Sequence, residues 1–231
     1  MRWDMQNYDV VIIGAGAAGM LCAIEAGRRG RRVLLIDHAK APGEKIRISG
    51  GGRCNFTNLH IAPEKFLSAN PRFALSALAR FTQWDFIAMV DAAGIAWHEK
   101  TLGQLFCDGS ARQIIDMLMR AMIDAGVELR LQTEVTGIAK GQGYELILTS
   151  GRVTCGSLVI ATGGKSIPKM GATGFGYRVA EQFGVPVTET RPGLVPLTFA
   201  GQDLGPIKAL AGTSVFASVR CGDAAFDEGL L

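Results

Sequence analysis

Residues 9–37 read DVVIIGAGAAGMLCAIEAGRRGRRVLLID, and this stretch decides the fold. The run from Tyr8 to Ile13 is almost wholly apolar and β-branched, the pattern of a strand buried on both faces. Gly14, Ala15, Gly16, Ala17, Ala18 and Gly19 follow as G-x-G-x-x-G, and a helix is expected from Ala17 to about Arg28. Strand before and helix after are the context that gives this motif its meaning. The first glycine permits the tight turn, the second lets backbone approach a pyrophosphate, and the third lets helix pack on strand. The helix N-terminus adds free N–H groups and the positive end of the helix dipole. Val33 to Ile36 is a second buried strand. Asp37 closes it 18 residues after Gly19, with His38 beside it, where an acid accepts hydrogen bonds from ribose hydroxyls. An acid there favours an unphosphorylated ribose, hence NAD or FAD rather than NADP.

Composition narrows the surroundings of that motif. The chain has 231 residues, 48% apolar and 19% charged, with a net charge of +3. So small an excess argues against a nucleic-acid partner. Arg28, Arg29, Arg31 and Arg32 read as cations at a helix C-terminus. The 5 cysteines are odd in number and form no CxxC, and the 3 histidines are scattered. A disulfide framework and a metal site are therefore not expected, and a reducing, cytoplasmic compartment is. Val10 to Ile24 is uncharged for 15 residues, but glycines interrupt it and a membrane span needs about 20.

Further along, Asn70-Pro71 has the form of a helix start. Thr82 and Asp85 form an expected capping box for a helix ending near Gly94. Ser110 and Gln113 do the same for a helix presenting Ile114, Ile115, Leu118 and Met122 on one face. Val127, Leu129 and Leu131 alternate as a strand. Val135 to Cys155 reads as a small antiparallel meander turning at 141–143 and 150–151. Leu158 to Ala161 is a further buried strand, ending in Thr162, Gly163 and Gly164. After Pro192 the pattern turns β-rich, with strands expected over 194–199 and 214–221 and a hairpin turn at Gly222-Asp223. The chain stops at Gly229-Leu230-Leu231 as another strand begins, so truncation is expected.

The segment after the second strand separates NAD from FAD. A nicotinamide dehydrogenase would continue with more strand-helix units, whereas here Ile48 to Asn58 read ISGGGRCNFTN. Three successive glycines followed by Arg53, Asn55 and Thr57 make a bare backbone surface edged with donors. It suits more phosphate or a flat ring, and a flexible hinge is the competing reading.

That string, with Gly14 to Gly19 and Ala161 to Gly164, resembles the BaiN/YhiN-type NAD(P)/FAD-dependent flavoproteins, a group including aminoacetone-oxidase-like proteins. Gly171 to Tyr177 and Pro192 to Leu197 match as well. The resemblance implies an α/β, Rossmann-like FAD-binding domain of the glutathione-reductase type, carrying the small meander and the start of an inserted β-rich domain. Residues 1–191 would be the FAD domain and 192–231 the opening of the substrate domain. It also implies that Gly14 to Gly19 hold the FAD pyrophosphate and that Asp37 and His38 stand at the adenosine ribose. Lys45, Gly51, Gly52, Arg53, Cys54, Asn55 and Thr57 would line the pyrophosphate and flavin. Val135 would meet the adenine through its backbone, and Ala161, Thr162, Gly163 and Gly164 would pass beneath. The family's Gly-Arg-x-Phe-Pro string is here Gly103-Gln104-Leu105-Phe106-Cys107. The implied activity is hydride transfer between a small organic substrate and FAD, with NAD(P)H as reductant or oxygen as acceptor. A non-catalytic nucleotide-binding module and a flavin-dependent tRNA-modifying type are the alternatives. Cys54 reads as space-filling, since no second cysteine lies near it in sequence.

Overall fold

In the computed structural model, residues 6–167, 171–193, 200–201, 204–210 and 212–230 are described. The opening β-α-β unit forms as its sequence dictates: β1 (Gln6–Ile13), α1 (Ala17–Arg28) and β2 (Val33–Ile36), with β1 and β2 parallel. Next come α2 (Glu44–Ile48), β3 (Asn55–Asn58), α3 (Leu75–Arg80), α4 (Gln83–Ala92), β4 (Trp97–Glu99) and β5 (Gln104–Cys107). The chain continues through α5 (Ala111–Asp124), β6 (Glu128–Arg130), β7 (Val135–Lys140), β8 (Tyr144–Leu148), β9 (Gly151–Ile160) and α6 (Phe175–Gln182). The main sheet has the order β6-β2-β1-β9-β8-β7. Its β6, β2, β1 and β9 run parallel, and β8 and β7 are antiparallel.

Alternation along the central strands sorts the core into two clusters. Ile12, Val33 and Leu35 pack with Met20 and Ile24 of α1 and with Ile114, Leu118 and Met122 of α5. Tyr8, Val11, Ile13, Leu34 and Ile36 pack with Leu146, Leu148 and Val153 of the meander. All four residues of β2 are buried, as a strand covered on both faces requires. Both expected capping boxes are present, Thr82 with Asp85 and Ser110 with Gln113.

Three elements differ from expectation. The strand over 158–161 is the end of β9, which the meander's last strand enters without a break. The first half of β9 pairs with β8 while its length from Val153 lies along β1. The helix expected at Asn70 begins instead at Leu75. The Asn70 side chain accepts the Arg72 N–H at 3.2 Å and its carbonyl accepts the Phe73 N–H at 3.0 Å, so Asn-Pro makes a turn. The region read as loop after Asp37 contains α2, and a small antiparallel sheet of order β3-β5-β4 stands where no strands were expected.

The chain divides into two units, residues 1–187 and 188–231. The second contains α7 (Leu204–Ala209) and a hairpin of β10 (Val215–Cys221) and β11 (Ala224–Leu230). Its turn is Gly222-Asp223, as expected, with Gly222 at φ +58°. The strand expected over 194–199 lies outside the described residues. Among the described residues no helix is long and apolar enough to cross a membrane.

Candidate cofactor site

At the C-terminal end of β1 the three glycines of the motif have three different reasons to be glycine. Gly14 sits at φ +111°, and a Cβ there would lie 2.5 Å from the Ala161 carbonyl oxygen. A Cβ on Gly19 would overlap the Gly14 carbonyl oxygen. Both are therefore required by the protein's own packing. Gly16 is not: a Cβ there would meet no protein atom within 4 Å. It is the N-cap of α1, where no side chain caps the first turn. Uncapped amides facing open space make an anion cradle.

Other segments converge on this turn. The Asp37 carboxylate accepts the Ala15 N–H at 2.7 Å and the Ala39 N–H at 2.8 Å, which fixes it against the glycine turn with lone pairs left over. His38 Nδ1 lies 3.5 Å from Asp37 Oδ1. The Asp37 carbonyl accepts the Thr133 N–H at 3.0 Å, and this anchors the link into β7, where half-buried Val135 begins. The Ala161 N–H donates to the Ile13 carbonyl at 2.8 Å, setting Ala161 to Gly164 beside Gly14. The Gly43 N–H donates to the Ala15 carbonyl at 2.8 Å, and α2 starts there. From α2, Lys45 Nζ reaches Ser166 Oγ at 3.0 Å and the Gly164 carbonyl at 3.3 Å.

At its far end α2 delivers the second glycine run. Gly50 and Gly51 are left-handed, at φ +57° and +65°. Gly51 has open space where a Cβ would stand, whereas a Cβ on Gly50 would strike the Phe106 ring at 2.5 Å. Arg53 and Asn55 are exposed, and Gly52 and Thr57 are half-buried. Cys54 turns its thiol into the core, so any contact it makes outward is through its backbone. Burial pushes that thiol's pKa up, against a hydrogen bond with Ser49. Cys107 lies alongside it: its N–H donates to the Arg53 carbonyl at 3.0 Å, and both thiols share one core cluster. Sequence distance concealed that neighbour.

Sequence reasoning also missed His98 and Asp108. His98 Nδ1 is 2.6 Å from Asp108 Oδ1, and the His98 ring stacks on Phe106 with centroids 6.2 Å apart. Only the β4–β5 pairing brings these residues together, and neither three-residue β4 nor four-residue β5 carries a periodic signal. Among the described residues, no group of three or more His, Cys, Asp or Glu is placed to hold a metal ion.

A glycine turn between β1 and α1, an acid ending β2 and a meander feeding the fourth parallel strand define an FAD-type Rossmann domain. The chain belongs to the HI0933-like family: residues 8–215 match the HI0933-like protein Rossmann domain. It is 58% identical over 212 residues to the ribosomal RNA dihydrouridine synthase of Escherichia coli, covering 91% of this chain and 53% of that one. It is 45% identical over 230 residues to the Haemophilus influenzae protein of the same name, covering 96% of this chain and 57% of that one. The chain thus spans about half the length of these relatives. A 3-ketosteroid-Δ4-(5α)-dehydrogenase from Rhodococcus jostii shares the fold at a TM-score of 0.53 and 17% identity, covering 71% of this chain and 47% of that one.

Proposed function

We propose that the protein carrying this chain is an FAD-dependent oxidoreductase that reduces uridine in ribosomal RNA to dihydrouridine. The observation that carries this reading is the 58% identity, over 91% of the chain, to a protein of that name. The small organic substrate that the sequence resemblance implied, and the aminoacetone-oxidase-like label, are set aside on the same ground. A cytoplasmic location follows from an rRNA substrate.

In this reading the glycine cradle receives the cofactor. The first-turn amides of α1, opened by Gly16, hold the pyrophosphate, Asp37 and His38 the adenosine ribose, and the backbone at Val135 the adenine. Lys45 and the run from Gly51 to Asn55 with Thr57 continue along the pyrophosphate to the flavin, and Ala161 to Gly164 pass beneath. FAD supplies the two-electron chemistry when bound, with NAD(P)H as reductant. The protein's part is to bind, orient and exclude water. Residues 188–231 begin the substrate domain in this reading.

The total charge pointed away from RNA, but binding follows local surface. Phe66, Phe73, Phe81 and Trp84 stand exposed in a segment that also carries Lys65, Arg72 and Arg80. Exposed aromatics interleaved with cations suit stacked bases and their phosphates. The test is to incubate the flavin-loaded protein and NADPH with rRNA from cells lacking the enzyme, then digest and weigh the nucleosides. A uridine gaining two hydrogens is the expected product. Flavin that NADPH bleaches with no such nucleoside formed sinks the proposal.

A further inference from the structure

The geometry points to His98, held by Asp108, as the proton donor to the substrate, an inference that rests on the uridine-reduction reading above. The small sheet places them. Asn55 pairs with Phe106 across β3 and β5, and Phe106 pairs with His98 across β5 and β4. Three residues in one cross-strand row share a face, and each step is about 5 Å, so His98 stands about 10 Å from Asn55. Phe106 ties that face to the glycine run, since its ring fills the position a Gly50 Cβ would need. Lys100 Nζ lies 5.1 Å from the centre of the same ring, adding a cation where an RNA phosphate would run.

The His98–Asp108 pair is arranged as a directed donor. A carboxylate accepts only, so at 2.6 Å Nδ1 donates to Asp108; Nε2 has a proton to give only in the imidazolium form, whose charge lies against that carboxylate. Asp108 is held by its own N–H, which donates to the Ala96 carbonyl at 2.9 Å, and Ser110 caps the next helix two residues on. The His98 side chain is 42% exposed, within reach of a base lying on this face. In the reaction the C5=C6 π bond of uracil breaks. Reduced flavin, when bound, would supply the hydride for the new C6–H bond, and the Nε2 proton of the His98 imidazolium forms the new C5–H bond. The imidazole is left neutral and regains its proton from water, and NAD(P)H restores the two electrons.

Two measurements on the flavin-loaded, full-length protein test this. First, His98→Gln is compared with wild type for dihydrouridine formation, with flavin content and Tm as folding controls. A loss of about 10²-fold or more is expected, with NADPH bleaching of the flavin unchanged and Asp108→Asn intermediate. Second, a uridine-containing single-stranded RNA oligonucleotide should protect His98 from diethyl pyrocarbonate while exposed His60 stays reactive. Turnover of H98Q within about threefold of wild type, or equal modification of His98 with and without RNA, overturns the assignment. Wild-type protein that forms no dihydrouridine overturns the substrate reading itself, and this assignment with it.

Discussion

The glycine turn at Gly14–Gly19 and the small sheet of β3, β4 and β5 both flank the candidate site, and they are built on opposite principles. The turn works by excluding side chains: the protein's packing needs Gly14 and Gly19 bare, while Gly16 borders open space that the proposed function assigns to the pyrophosphate. The small sheet works by presenting them, with Asn55, Phe106 and His98 in one row and Asp108 at its end. Backbone sites depend on φ and on clearance, so their sequence signature is local. Side-chain sites depend on which strands pair, so theirs is not. The comparison also separates two kinds of damage, loss of the fold and loss of the ligand.

Within the turn, Gly19→Ala should have the largest effect of all. The new methyl overlaps a backbone carbonyl that cannot give way, so a loss of about 3 kcal/mol or more is expected. Urea unfolding monitored by far-UV circular dichroism measures it. Gly16→Ala should change stability by less than about 1 kcal/mol, because its φ of −87° suits alanine and the Cβ meets nothing. It should nevertheless release FAD, with the A450/A280 ratio of purified protein falling toward zero. If G16A keeps its flavin, the open space at Gly16 is not the pyrophosphate cradle. If G19A is as stable as wild type, the division between packing and ligand glycines is wrong.

The seam between the two regions can be probed through its thiols. Burial first, then the neighbouring Cys54 thiol, pushes the Cys107 pKa up to about 11, and burial raises that of Cys54. A thiol reacts as its thiolate, so at pH 8 both should be far slower toward Ellman's reagent than exposed Cys221. Labelling should begin at Cys221, with half-buried Cys22 slower, and buried Cys54, Cys107 and Cys155 should react together only in denaturant. Fast native-state labelling of Cys54 would place its thiol outside the core and bring it into contact with the cofactor.

How much could be read beforehand follows the same division. The β-α-β unit, both capping boxes, the meander and the Gly222-Asp223 hairpin turn each have a signal within a few residues, and each forms as expected. So does the agreement of Asp37 with the glycine turn, since strand and helix lengths alone set that spacing. The small sheet escaped because its strands have three or four residues and their pairing joins Asn55 to Phe106 and His98 across a segment that contains α3 and α4. Asn70-Pro71 shows the reverse failure. It is a strong local signal that suits a helix start and a turn equally. Cys54 and Cys107, 53 residues apart in sequence, become neighbours by the same pairing that hid His98 and Asp108.

The smallest expected effect sharpens the comparison most finely. The Ser110 hydroxyl accepts the Arg112 N–H at 3.2 Å, and the Gln113 side chain accepts the Ser110 N–H at 3.1 Å. Ser110→Ala removes half of that reciprocal cap and should cost about 1 kcal/mol in global stability. α5 carries much of the helical-side core, so the whole domain registers the loss as a lower urea midpoint. The cap also ends the turn that holds Asp108 against His98. S110A should therefore leave flavin content at wild-type level while allowing diethyl pyrocarbonate to reach His98 faster, because the partner that fixes the ring is loosened. A side-chain site can be disturbed in this way through a cap two residues off, whereas the glycine turn, having no side chains to loosen, should not respond. Equal His98 reactivity in S110A and wild type would mean that Asp108 is held by its strand alone, through the Ala96 carbonyl.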